Sequence, residues 1–124
     1  SPLFGSELIK NAINKYFEIL NLGHDSIITV TSFQHYLMDE NGPLNYDLPV
    51  TGAMHLNSQN LPKWDAFTNG ILIAPIEKVK AWRYNYGPKA FRLEVSQDVA
   101  IDIDTYFDYL AAVAWYNENP DKYN

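Results

Sequence analysis

Cysteine is absent from the 124 residues, so no disulfide and no thiolate metal site can form, and a reducing intracellular setting is permitted. Long apolar runs are absent too, and none approaches the ~18 residues that a membrane-spanning helix needs. The opening SPLFGSELIK lacks the basic stretch and apolar core that mark a secretory leader. Basic charge is scarce: 9 Lys and Arg stand against 15 Asp and Glu. The net charge of −6 disfavours nucleic acid or an anionic membrane as partner of the chain as a whole. There is no Gly-rich phosphate loop and no nucleophile elbow with a paired base. What is plentiful is apolar and aromatic side chain, 47% and 15% of residues, which implies a folded globule. The length suits one domain, residues 1–124, able to bury roughly two thirds of its unfolded surface.

The clearest element is a helix over Ser6–Leu22. Leu8, Ile9, Ala12, Ile13, Tyr16, Phe17, Ile19 and Leu20 form its apolar stripe, Ser6 is the expected cap and Gly23 the left-handed stop. The β-branched SIITVTS predicts a buried strand over Ile27–Thr31. Ser32 is expected to cap a short second helix, FQHYLMD, which Asn41-Gly42-Pro43 ends in a turn. LPVTGAMHL reads as strand pieces around Gly52, with Pro49 forcing an edge or a bulge. NSQNLPKWDAFTNG reads as polar loop holding a buried Trp64 or Phe67, and GILIAP as a second buried strand. Ile76–Tyr86 fits helix or strand, and Leu93–Val95 fits strand. In VAIDIDTYFDYL the residues Val99, Ile101, Ile103, Thr105 and Phe107 alternate with Ala100, Asp102, Asp104, Tyr106 and Asp108, which predicts a half-buried strand running on towards AAVAWYN. The rival is a helix capped by Asp104, with Phe107, Leu110, Ala111 and Ala114 inward. The fold class is α+β, with a mixed or antiparallel sheet, an N-terminal amphipathic helix and a short second helix.

Candidate chemistry is sparse. Asp102 and Asp104 would share a strand face and could offer oxygen ligands to Mg²⁺ or Ca²⁺, but nothing nearby completes a site, and a solvated acidic face is the simpler reading. His24, His35 and His55 are scattered, with no pair at the i, i+4 spacing of a helical zinc site. No catalytic residue, metal ligand or cofactor is expected. The most unusual stretch is KVKAWRYNYGPKAFR. It holds Lys78, Lys80, Arg83, Lys89 and Arg92, five of the nine basic residues, interleaved with Trp82, Tyr84, Tyr86 and Phe91. Such a stretch can grip single-stranded nucleic acid, or anchor a protein interface. It can also pair with the acidic segment Asp98–Asp108, within one subunit or between two. Pairing is preferred, and the expected interaction residues are Lys78, Lys80, Trp82, Arg83, Tyr84, Tyr86, Asp102, Asp104 and Asp108.

Several quoted stretches also carry a resemblance. ELIKNAINKYFEIL leads into SIITVTSFQHYLMDENGPLNYD and then the Gly-containing LPVTGAMHL. GILIAPIEKVKAWRYNYGPKAFRLEVSQD follows, and IDIDTYFDYLAAVAWYNENPDKYN closes the chain. This order resembles the C-terminal, axial-domain part of a tailed-phage major capsid protein of the Johnson fold. The resemblance covers most of this chain but only the end of a complete subunit, whose N-terminal arm, extended loop and spine helix have no counterpart here. It implies a non-enzymatic virion protein that associates with copies of itself or other virion proteins and assembles in the host cytoplasm. A start at Ser1, without Met, is compatible with a longer precursor. The alternative is a small acidic binding module of the cytoplasm, inhibitor- or immunity-like, whose nine Tyr and many carboxylates would meet a basic protein partner. A hydrolase or metal enzyme built on Asp102, Asp104 and His55 is a distant third.

Overall fold

The structure is a computed structural model that describes residues 3–47 and 61–123. Its elements are α1 (Ser6–Leu20), β1 (Ser26–Phe33), β2 (Met38–Asp39), β3 (Gly42–Pro43), β4 (Trp64–Ile73), α2 (Ile76–Trp82), β5 (Ala90–Glu94) and α3 (Tyr106–Glu118). The fold is mixed α+β, with a mixed three-stranded sheet in the order β4-β1-β5 and a two-stranded antiparallel pair, β2-β3. β1 and β5 run parallel, in a register that pairs Ser26 with Ala90 and Val30 with Glu94. The chain falls into two compact units, one of residues 1–31 and 67–124, the other of residues 32–66.

The first unit is built on β1. As the central strand it is covered on both faces, and every residue from Ser26 to Val30 is buried. Thr29 is fully buried and its hydroxyl is fully used. It contacts the Thr68 hydroxyl at 2.7 Å and accepts from the Ile71 N–H at 3.0 Å, while Thr68 Oγ1 donates to the Thr29 carbonyl at 3.1 Å. This closed set of bonds sits where β4 carries a left-handed residue, Asn69 with φ 54°. A side-chain hydroxyl thus stands in for the ladder bonds that such a bulge interrupts. α1 contributes Ala12 and Ile19 to the core, and β5 is followed by buried Val95 and Val99.

α1 stops as its sequence suggests. Gly23 takes φ 89°, and the His24 N–H reaches the Ile19 carbonyl at 3.2 Å. Its start differs: Gly5 occupies the cap position, Ser6 is the first helical residue, and no side chain caps the end. The segment after β1 differs more. FQHYLMD forms no helix. β1 runs on to Phe33, and Ser32 donates to Asp65 at 2.7 Å rather than capping anything. Asn45 explains the change. Its amide accepts from the Leu37 N–H at 2.9 Å and donates to the His35 carbonyl at 2.7 Å, holding extended the backbone that a helix would have used. Leu44 N–H then meets the Leu37 carbonyl, and the Asx turn from Asp39 to Asn41 closes the β2-β3 hairpin. These contacts, with Gln34 donating to the Leu61 carbonyl and Tyr36 edge-on to Tyr46, make the second unit.

The expected loop around Trp64 and Phe67 is instead the first half of β4, and both rings are exposed, at 38% and 44%. β4 is an edge strand whose more covered positions are Ala66, Thr68 and Gly70, so the large residues alternate outward. GILIAP supplies only the half-buried end of that strand. The short second helix exists, but as α2. The strand expected over Val99–Phe107 does not form: Gln97–Ala100 is a turn, and α3 begins at Tyr106. LPVTGAMHL, with Pro49, Gly52 and His55, lies outside the described residues.

Candidate interaction site

The basic–aromatic stretch is held by the residues that open β1. Asp25 accepts from the Ser26 hydroxyl at 2.8 Å and from the Lys89 N–H at 3.1 Å, and its own N–H donates to the Lys89 carbonyl. Ser26 Oγ accepts in turn from the Gly87 N–H. His24 Nδ1 lies 3.1 Å from the same Lys89 carbonyl, so it is the protonated nitrogen, and its ring stands edge-on to Phe91. Gly87 is pressed between Trp82 and Asp25, with no room for a Cβ. The sequence GHDS therefore clamps YGPK. Arg83 ends α2 in the left-handed region, φ 55°, and turns the chain towards this clamp. Ile76 and Lys80 are four residues apart on α2 and share a face; Arg83 follows three further on. Ile76, Lys78, Lys80, Arg83, Tyr84 and Lys89 are exposed, while Trp82 and Tyr86 are half-buried. Tyr86 touches Tyr84 and Phe67, with ring centroids 5.0 and 5.5 Å apart. Lys78 lies over the Trp82 ring.

The acidic segment has a different architecture. Thr105 caps α3, accepting from the Asp108 N–H at 3.2 Å, while Asp108 accepts from the Thr105 N–H and hydroxyl and from the Asp104 N–H. This is a reciprocal capping box. Hydrogen bonds from the Thr105 hydroxyl, then from the Asp104 and Thr105 amides, lower the Asp108 pKa. Asp108 is thus occupied in folding the helix. Asp102 and Asp104 lie just before it, exposed, and their carboxylates make no hydrogen bond or ion pair among the described residues.

α3 itself is apolar on nearly every side, yet it buries only Ala112. Tyr106 is 73% exposed and Phe107 78%. With Leu110 and Val113 they follow at helical spacing, forming one outward apolar stripe, which Asp102 and Asp104 precede in the sequence. Shallow grooves flank the helix. One of about 430 Å³ is lined by Leu3, Gln97, Asp98, Ile101, Ala111 and Trp115.

A polar network fixes the end of the chain. Asp98 accepts from Lys122 Nζ at 2.8 Å and from the Tyr123 hydroxyl, which itself accepts from Trp115 Nε1 at 2.6 Å. Burial opposes ionisation of Asp98, but hydrogen bonds from Lys122, Ser96 and Tyr123 outweigh it and hold the carboxyl well below its usual range. The Lys122 pKa is raised by the same bond, and that of Tyr123 by burial and then by Asp98. Nothing in the local sequence announces this network, because its members are joined only by the fold. The capping box, by contrast, was written in TYFD.

Three of the expected interaction residues therefore have structural duties: Trp82 and Tyr86 pack in the clamp and Asp108 caps α3. Lys78, Lys80, Arg83, Tyr84, Asp102 and Asp104 stand on the surface. His35 stacks on Phe33. Among the described residues no three His, Asp or Glu gather as metal ligands, and no helix is long and apolar enough to cross a membrane. No protein-family model matches the chain, and no curated protein matches it.

Proposed function

We propose that this chain is a virion structural protein, a capsid subunit or capsid-like domain whose work is to associate with copies of itself. The supporting observation is α3. A helix apolar on nearly every side belongs in an interior, and here only Ala112 reaches one. Burying a phenylalanine ring such as Phe107 stabilises an assembly by about 1.5–3 kcal/mol, so a stripe of four large side chains is a strong drive to associate. The resemblance to the end of a phage capsid subunit supplies the virion setting, and the reading involves no catalysis. Sedimentation velocity over a wide concentration range tests it, with electron microscopy of whatever sediments fastest. Growing species that form rings, sheets or shells are expected. A strict monomer at every concentration would overturn the proposal.

A second reading has its own support. Tyr84, Tyr106, Tyr109 and Tyr116 are exposed on a chain of net charge −6, a surface suited to a basic protein partner. A lone monomer that forms a 1:1 complex with such a protein would move the conclusion there.

A further inference from the structure

The proposed association leaves open which surfaces meet. We infer that the contact is heterologous: the apolar stripe of α3 with Asp102 and Asp104 on one copy docks against the α2 surface of Ile76, Lys80, Arg83 and Tyr84 on the next. This inference rests on the self-association reading and adds the pairing of faces.

Three observations carry it. First, both surfaces are amphipathic in the same style, with opposite charge. Tyr106, Phe107 and Leu110 follow closely in sequence on the exposed carboxylates Asp102 and Asp104; Ile76, 60% exposed, and Tyr84, 55% exposed, share the α2 segment with the exposed cations Lys80 and Arg83 and one exposed acid, Glu77. Second, none of the four charged side chains that would meet is paired among the described residues. The side chains of Lys80, Arg83, Asp102 and Asp104 make no ion pair or hydrogen bond among the described residues, so all four are available to a second copy. Third, the uncovered apolar stripe of α1 has balanced charge, whereas the α2 surface, with Glu77 against Lys78, Lys80 and Arg83, is net basic. Ile9, Ile13 and Phe17 of α1 are flanked by both signs, Glu7 and Lys10, and Lys15 is already paired with Glu18. A symmetric α3-to-α3 contact would bring Asp102 and Asp104 against their own copies, and like charges in an interface are repulsive. A face that must meet a different face leaves a free face at each end, so association continues until a ring closes or a filament grows.

Charge reversal with rescue tests the pairing on the full chain. One variant carries Lys80→Glu and Arg83→Glu; the other carries Asp102→Lys and Asp104→Lys. All four residues are exposed, and circular dichroism checks that each variant folds. Each alone should lose about tenfold or more in association constant, because like charges now face each other. Mixed in equal amounts they should associate again, since each reversed face meets its opposite. Raised salt should weaken the wild-type contact and the rescued one alike. If the wild type associates but only the aspartate variant is affected, or the mixture is not rescued, the heterologous pairing is wrong while self-association stands. If the wild type never associates, both readings fall. Should a double variant misfold, Asp102→Asn with Asp104→Asn replaces it: relief of repulsion would strengthen a symmetric contact and weaken the inferred one.

Discussion

β1 and α3 are both strongly apolar, and they end in opposite environments. Five successive residues of β1 are buried, two of them polar, whereas α3 buries one alanine and leaves its largest rings in water. Apolarity alone therefore does not decide what is interior. β4 and β5 bond to the two edges of β1 and make it the central strand, and central strands carry the residues that are packed on both faces. α3 needs no neighbour to satisfy its backbone, so it can form with its apolar surface uncovered. The buried strand holds the subunit together; the exposed helix is free to hold subunits to each other.

Substitutions can break or sharpen that contrast. The largest effect is expected at Ile27, which is 1% exposed near the start of β1. Ile27→Ala should cost about 2–5 kcal/mol in urea unfolding, through lost burial and a residual cavity. Thr29→Val comes next. It keeps the shape but leaves the Ile71 N–H without its acceptor and removes one partner of the Thr68 hydroxyl, which keeps its bond to the residue 29 carbonyl, at about 1–3 kcal/mol. A neutral result would mean that the bulge in β4 relaxes on its own.

A smaller, pH-dependent effect belongs to Asp98. Its pKa is depressed in the folded chain, so its contribution is complete above the ordinary aspartate value of about 3.9 and is lost as pH falls through the depressed one. Lys122 is raised, so its share is present below its ordinary value and fades as pH rises through the folded one. Amide exchange in Asn119–Tyr123 should accelerate in strong acid, and Asp98→Asn should remove that acid response. The smallest effect on folding is expected at Phe107. Phe107→Ala should change monomer unfolding by less than about 0.5 kcal/mol while weakening association measurably. If it instead destabilises the monomer like Ile27→Ala, α3 is covered within its own chain and the contrast fails.

The residues made some of this legible beforehand. The α+β class, α1 with its Gly23 stop and the buried β1 follow from local pattern, because helix periodicity and a β-branched run speak over short range. VAIDIDTYFDYL shows the limit. Its alternation fits a strand, but a strand also needs an edge to pair with, and no local pattern reports which edges are taken. The Thr105–Asp108 capping box was the stronger local signal, since it satisfies helix amides without any distant partner. FQHYLMD failed for the opposite reason: its extended course depends on Asn45, which lies in the next segment. The basic–aromatic stretch stood out in composition, but only the fold separates Trp82 and Tyr86, used in packing, from Lys80, Arg83 and Tyr84, left outside.

The Asp98 network has a last consequence. By anchoring Lys122 and Tyr123 it lays the tail against the start of α1: a Cβ on Gly5 would touch the Tyr123 backbone at 3.4 Å. The two extremities of the described chain are thus spatial neighbours, and in a variant limited to these 124 residues a short linker between them would close a circle with little loop-closure entropy to lose. New termini could then be opened at an exposed turn such as the one between β2 and β3, leaving the native contacts of β1 and α3 in place.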